Sequence, residues 1–235
     1  MGKYVRYDVD GDGVIETDNE YEAILWRVLR DDTDKVELIT ADALGEVDLT
    51  PTDFNVARTK YNNAVNLMVA ECKRVTGIQS NIRNVGGPGT EEELSDTNTV
   101  DFNEYGPNLS EEIFAQYEGE INGLRKGDNN YEEDFGRMMT AGVAVADNEE
   151  KYYWLASRNV YANPTTVYFN VRLISTGNHA ETNMCYVGYE GNAYCWSNLE
   201  NSHPVRPVLT LVSGSLTGVT GRGTLEQPFE IYQAQ

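Results

Sequence analysis

The stretch "VYFNVRLIS", Val167 to Ser175, decides the fold class. Its two-residue alternation places Val167, Phe169, Val171 and Leu173 on one side of the chain, which is the period of a half-buried β-strand and not of a helix. Outward from it, "YYWLASR" (Tyr152 to Arg158), "CYVGYEGNAYC" (Cys185 to Cys195) and "HPVRPVLTL" (His203 to Leu211) read as further strands separated by Asn-rich turns. Residues 151–235 are therefore expected to form a β core, with Trp154 and Trp196 large enough to anchor it. Pro204 and Pro207, around Arg206, suit a strand entrance or an edge.

Upstream the period changes. Phe54, Ala57, Tyr61, Ala64, Met68, Cys72 and Val75 recur at helical spacing, with Thr50 or Thr52 as N-cap beside Pro51 and Gly77 as the stop. Residues 51–77 are thus expected to hold one long amphipathic helix, running from about Thr52 to Thr76, that buries its apolar stripe. Before it, in residues 1–50, "KYVRY", "AILWRVLR" and "KVELIT" read as a β meander, the last two joined by a hairpin turn at Asp31 to Asp34. Residues 78–150 are rich in Gly, Asn and acid. There "LSEEIFAQYEGEI" and "NYEEDFGRMMTAG" look like short helices, while "GGPG" lacks the Lys and Ser or Thr of a phosphate-binding loop. The expected fold class is α+β: a single domain of mixed, mostly antiparallel β with one long helix and one or more short ones.

Charge restricts the partners. Asp and Glu outnumber Lys and Arg by 38 to 18, and the resulting net charge of −20 repels phosphate backbones and anionic membranes, so nucleic acid and membrane are not expected. The opening "MGKYVRYDVD" has no apolar leader and no run is long enough to span a bilayer; the chain is expected to be made in the cytoplasm. Cys72, in the helix stripe, reads as a buried free thiol. Cys185 and Cys195 bracket a hairpin centred on Glu190-Gly191-Asn192, which permits a disulfide but does not require one. Neither His179 nor His203 has metal-ligand spacing.

One segment carries cation chemistry. In "YDVDGDGVIETDNE", Tyr7 to Glu20, the acidic residues Asp8, Asp10, Asp12 and Glu16, with the Val14 carbonyl, match the first, third, fifth, ninth and seventh positions of a calcium loop, and Gly13 matches its glycine. The last position departs, since Asn19 stands where a bidentate Glu belongs and Glu20 comes one residue late. The segment reads either as a Ca2+ loop between strands or as an acidic, solvated turn. Arg158, Arg172 and Arg206 likewise read as an anion- or sugar-contacting cluster, or as pins paired with internal carboxylates.

The segments "YYWLASR", "VYFNVRLIS" and "HPVRPVLTL", taken with the hairpin "WRVLRDDTDKVELIT" and the helix "YNNAVNLMVAECKRV", resemble C-type-lectin-like domains of Gram-positive bacteria and their phages. The tail "TGVTGRGTLEQPFEI" resembles the last strand that follows such domains in surface proteins. The resemblance implies a non-enzymatic virion component: a capsid or tail decoration, or a tail-associated subunit, with other virion subunits or a host-surface glycan or protein as partner and homo-oligomers allowed. The alternative is a receptor- or carbohydrate-binding adhesin at a tail tip or cell surface. A remote alternative is an enzyme, because formylglycine-generating enzymes share the broad fold, although two histidines and three cysteines assemble no recognisable catalytic constellation. The expected contact surface is the Asn- and Tyr-rich loops of the last third, with Tyr161, Asn163, Tyr189, Asn192, Tyr194 and Asn198, residues whose chemistry is that of paratopes. The resemblance extends to the variable region of diversity-generating retroelement proteins.

Overall fold

The computed structural model describes residues 1–50, 54–87, 130–150, 152–163, 166–176, 180–190, 192–196 and 202–233, with backbone alone over most of 157–196 and over parts of the helix N-termini. Its strands are β1 (Tyr4–Tyr7), β2 (Trp26–Asp31), β3 (Lys35–Thr40), β4 (Leu44–Asp48), β5 (Ile82–Asn84), β6 (Tyr152–Asn163), β7 (Thr166–Thr176), β8 (Ala180–Glu190), β9 (Asn192–Trp196), β10 (Ser202–Val205), β11 (Pro207–Val212), β12 (Leu216–Thr220) and β13 (Phe229–Gln233). The helices are α1 (Phe54–Thr76) and α2 (Asn130–Ala141). The strands form a 7-stranded sheet in the order β12-β13-β1-β2-β3-β11-β5, a 4-stranded sheet β6-β7-β8-β9, and a 2-stranded sheet β10-β4. Every pairing is antiparallel except β1 with β13, which brings the tail back beside the N-terminus in parallel. The fold class is α+β, as expected. No helix among the described residues is long and apolar enough to cross a membrane.

The meander reading holds for β1 to β3, and the turn between β2 and β3 falls at the expected aspartates. The long helix ends as its sequence demands. Gly77 takes φ +72° and donates its N–H to the Lys73 carbonyl at 3.0 Å, closing the last turn. A Cβ there would also meet the Tyr21 ring at 2.9 Å, so glycine is fixed twice. Of the two expected N-caps, Thr50 is described, four residues before Phe54, with its N–H on Asp48 Oδ1 at 2.7 Å, whereas Thr52 lies outside the described residues, as does the short helix expected at "LSEEIFAQYEGEI"; α2 matches the one expected at "NYEEDFGRMMTAG".

α1 lies across the 4-stranded sheet and against β4 and β5. Ala64, Val65, Met68 and Cys72 of the helix pack with Trp26, Leu38, Trp154, Val171, Leu173 and Ile231, so one core joins residues from both ends of the chain. Cys72 is a buried free thiol there, and burial pushes its pKa well up, which removes its nucleophilicity. A second core lies on the other side of the 4-stranded sheet, where Tyr153, Leu155 and Ile174 meet Met138 of α2, Leu29, Ile39 and Val208. Two neighbours on β6, Trp154 and Tyr153, therefore serve opposite cores, as strand alternation requires.

Polar side chains tie these layers together. Asn84 donates to the Trp154 carbonyl at 2.8 Å and accepts the Arg206 N–H at 2.8 Å, while Trp154 Nε1 donates to the Val47 carbonyl at 2.8 Å. Arg206, fully buried, sends Nη1 to the Val143 carbonyl at 2.6 Å and Nη2 to the Thr40 carbonyl at 2.6 Å. The expectation that this arginine contacts an anion or pairs with an internal carboxylate is corrected: its hydrogen-bond acceptors are backbone carbonyls and the Tyr153 hydroxyl. The end of β3 and the chain following α2 converge here, and one guanidinium serves the carbonyls of Thr40, Ala41 and Val143 at once.

Candidate functional site

The acidic loop between β1 and β2 folds around Asp8. This residue leaves β1 with its N–H on the Ile231 carbonyl at 3.1 Å, which ties the loop to the C-terminal strand. Its carboxylate is buried and accepts the N–H of Gly11 on Oδ1 at 2.8 Å and that of Gly13 on Oδ2 at 2.9 Å. Gly11 and Gly13 have φ of +76° and +87°, the left-handed conformations that let the chain curl this tightly. Asp10 Oδ1 accepts the Asp12 N–H at 3.1 Å, and Asp12 Oδ1 accepts the Val14 N–H at 2.8 Å. Short acidic side chains capping their own backbone build the curl.

The chain then turns back. Ala23 N–H bonds the Asn19 carbonyl at 2.9 Å, and Arg6 Nη1 holds the carbonyls of Glu22 and Ala23 at 3.5 and 3.3 Å. This returns Glu22, which is 1% exposed, to the loop, where its Oε2 accepts the Glu16 N–H at 2.7 Å. Asp8, Asp10 and Glu22 each present a carboxylate oxygen, all within 4.8 Å of one another, and the set can hold a metal ion.

The expected ligand set is thus changed. Asp8 and Asp10 belong to it. Asp12, Glu16 and Glu20 are not in this carboxylate set, and Glu22 joins it. The calcium-loop template looked for its last acid at Asn19 or Glu20; the turn beginning at Asn19 carries the chain past that point and delivers the carboxylate later. The visible signal was an acid followed by apolar Ala23, Ile24 and Leu25, a position that enters the core side of the loop. The Glu16 pKa is raised, first by the neighbouring charge of Asp12, with Glu22 and Asp10 of the cluster adding to it. Two buried carboxylates beside a third are stable only if hydrogen bonds, protons or a cation offset their repulsion. Oxygen-only ligands suit a hard cation.

The Asn and Tyr positions lie elsewhere, in the 4-stranded sheet. Tyr161 and Asn163 are in β6, Tyr189 in β8, and Asn192 and Tyr194 in β9; Asn198 lies outside the described residues. The expectation of loops is corrected for five of these six positions, because the strands run up to short hairpin connections and absorb the residues that read as turns. Register then separates them. Tyr161 pairs with Tyr168, which pairs with Gly188, which pairs with Tyr194, so these stand in one cross-strand row. Tyr189 pairs with Val167 and Ala193, one residue out of that row, and so belongs to the opposite face. Cys195 pairs with Val187 and not with Cys185, and Cys185 pairs with Val171. The two cysteines are diagonal neighbours, about 7–8 Å apart by ordinary sheet geometry, whereas a disulfide usually spans a Cα separation of about 4.4–6.8 Å.

Comparison of the chain with family models, with curated proteins and with solved structures finds no match.

Proposed function

We propose that this chain is a non-enzymatic, C-type-lectin-like interaction module of a virion, a capsid or tail decoration or tail-associated subunit, whose N-terminal loop is stapled by calcium. The observation that carries the interaction reading is the cross-strand row Tyr161, Tyr168, Gly188, Tyr194. By register it stands on the face opposite to Val171 and Leu173, the same face that packs Ile174 into the second core further along β7. Tyrosine in rows on a regular sheet supplies rigid contact area at low entropic cost. The strong net acidity and the phage-like resemblance of the strand segments support the virion setting. The buried charges also support a role without turnover: Arg206 is spent on backbone carbonyls, and Arg83 and Asp134 on each other.

Mass spectrometry of purified particles from the producing host tests the setting. A high copy number is expected for a decoration subunit and a few copies for a tail tip; absence of the chain from particles removes the virion reading. Removing Tyr161 and Tyr194 together (Tyr161→Ala, Tyr194→Ala) is expected to weaken attachment to particle or host by at least tenfold, a change of about 1.4 kcal/mol or more.

Calcium is the cation proposed for Asp8, Asp10 and Glu22, since carboxylate and carbonyl oxygens on a flexible loop are its usual ligands. Added calcium should raise Tm, with a stabilisation of about 2.7 kcal/mol once its concentration reaches a hundred times Kd. Asp10→Ala and Glu22→Gln should each abolish the rise, whereas Glu20→Gln should leave it intact. Melting curves that coincide in chelator and in millimolar calcium would sink the site.

A further inference from the structure

The sheet edges differ in how they are closed. β5, one edge of the 7-stranded sheet, lies against α1. β12, the other edge, shifts register with β13 between Thr217 and Thr220 and runs into Gly221 at φ +85°. In the 2-stranded sheet, β10 shifts register against β4 between His203 and Val205. In the 4-stranded sheet, β6 carries a shift between Trp154 and Arg158, lies against β5 and β10, and has the Ala156 N–H on the Val85 carbonyl at 2.9 Å. Bulges and covering elements are the devices by which proteins keep their sheet edges from pairing with another chain.

β9 carries none of these devices among the described residues. Its register with β8 is unbroken from Glu190–Asn192 to Tyr186–Trp196. Its sequence, "NAYCW", has no proline, lysine or other charged residue, and Tyr, Cys and Trp favour extended backbone. α1 lies against β6, β7 and β8 as well as β9, so it runs across the face of the sheet. Among the described residues no strand pairs with the outer edge of β9, whose backbone N–H and C=O groups then need partners.

We propose that β9 pairs antiparallel with β9 of a second copy of this chain, joining two 4-stranded sheets into one continuous sheet about a two-fold axis. Charge selects the place. Two chains of net charge −20 repel over most of their surfaces, but Asn192–Trp196 contains no Asp, Glu, Lys, Arg or His and so carries no formal charge at pH 7, and this strip is where two copies approach at least cost. An isologous strand pair needs no sequence but its own, and backbone hydrogen bonds supply the attraction.

Sedimentation velocity of the full chain, in low and then moderate salt, tests the proposal. A monomer–dimer equilibrium that shifts toward dimer as salt screens the repulsion is expected. Tyr194→Lys, which puts a charge on the edge, should be monomeric while keeping the parent's circular dichroism and Tm. A second measurement protects against a variant that misfolds: in a Cys185→Ser background, the native Cys195, and Ala193→Cys or Tyr194→Cys with Cys195→Ser, should give a covalent dimer on mild oxidation at the position nearest the two-fold axis. A wild-type chain that stays monomeric in moderate salt overturns the proposal. So does a dimer that Tyr194→Lys leaves intact and that none of the three cysteines cross-links.

Discussion

Arg206→Met is expected to lower the free energy of unfolding by about 3–5 kcal/mol, the scale on which removing one partner from a buried charged constellation acts. The guanidinium is fully buried and gathers chain segments distant in sequence: the Thr40 carbonyl at 2.6 Å, the Ala41 carbonyl at 3.3 Å, the Val143 carbonyl at 2.6 Å and the Tyr153 hydroxyl at 3.4 Å. Methionine fills much of the volume but donates nothing, so the Thr40 and Val143 carbonyls lose this donor, while the Ala41 carbonyl keeps the Asp147 N–H at 2.9 Å. Lysine carries the charge on a single nitrogen and cannot serve both sides of the fork, so Arg206→Lys should recover less than half of the loss. Burial pushes the Tyr153 hydroxyl pKa up, which keeps it protonated and neutral beside the cation. Denaturant titration gives the answer through a shift in midpoint at unchanged slope. A loss below about 0.5 kcal/mol, the range of an ordinary surface change, would show that the carbonyls find water or another donor, and the pinning role would fall.

The same residue shows what sequence can and cannot tell. "VRPV" marked Arg206 as special, and local pattern placed it beside a strand entrance, which is where it is. Its acceptors were not legible, because they are carbonyls brought together by the return of β11 alongside β3. Local signals succeeded wherever the cause was local: the stripe from Ala64 to Cys72, the Gly77 stop, the turn at Asp31 to Asp34 and the alternation in β7. They failed where tertiary arrangement decides. Nothing in β1 announces a parallel partner in β13, and Glu22 reaches the acidic loop only through the turn from Asn19 to Ala23. In the 4-stranded sheet the residue types suggested turns, but pairing along long strands prevailed, and the register alone puts Tyr189 on a different face from Tyr161 and Tyr194. Two of the three carboxylates of the cation set were therefore legible: Asp8 and Asp10 from spacing, with Glu22 supplied by the fold.

Asp134→Ala should cost a similar amount, about 3–5 kcal/mol, for a different reason. Arg83, on β5, is buried, and its guanidinium engages Asp134 of α2 through Nη1 at 2.5 Å and Nη2 at 3.1 Å. Asp134 also accepts the Gly86 N–H at 2.7 Å, so one carboxylate fixes both the arginine and the chain leaving β5. Glu37 of β3 stands 3.6 Å from Arg83 and 3.2 Å from Arg137, which makes the network a bridge from sheet to helix. Burial alone would lower the pKa of Arg83, but the charges of Asp134 and Glu37 outweigh that and raise it. Without Asp134 the cation keeps only the more distant Glu37, and desolvation goes largely uncompensated. Asp134→Asn retains the shape but points an amide donor at a guanidinium, so most of the cost should remain. The double variant Arg83→Met, Asp134→Leu removes both charges and replaces them with apolar volume; it should recover at least half of the loss, since a buried pair is worth little more than the hydrophobic contact that can replace it. If the double variant is as unstable as the two single losses added together, the pair is not coupled, and α2 is held to the sheet by the apolar contacts of Met138 with Tyr153 and Val208 and not by charge.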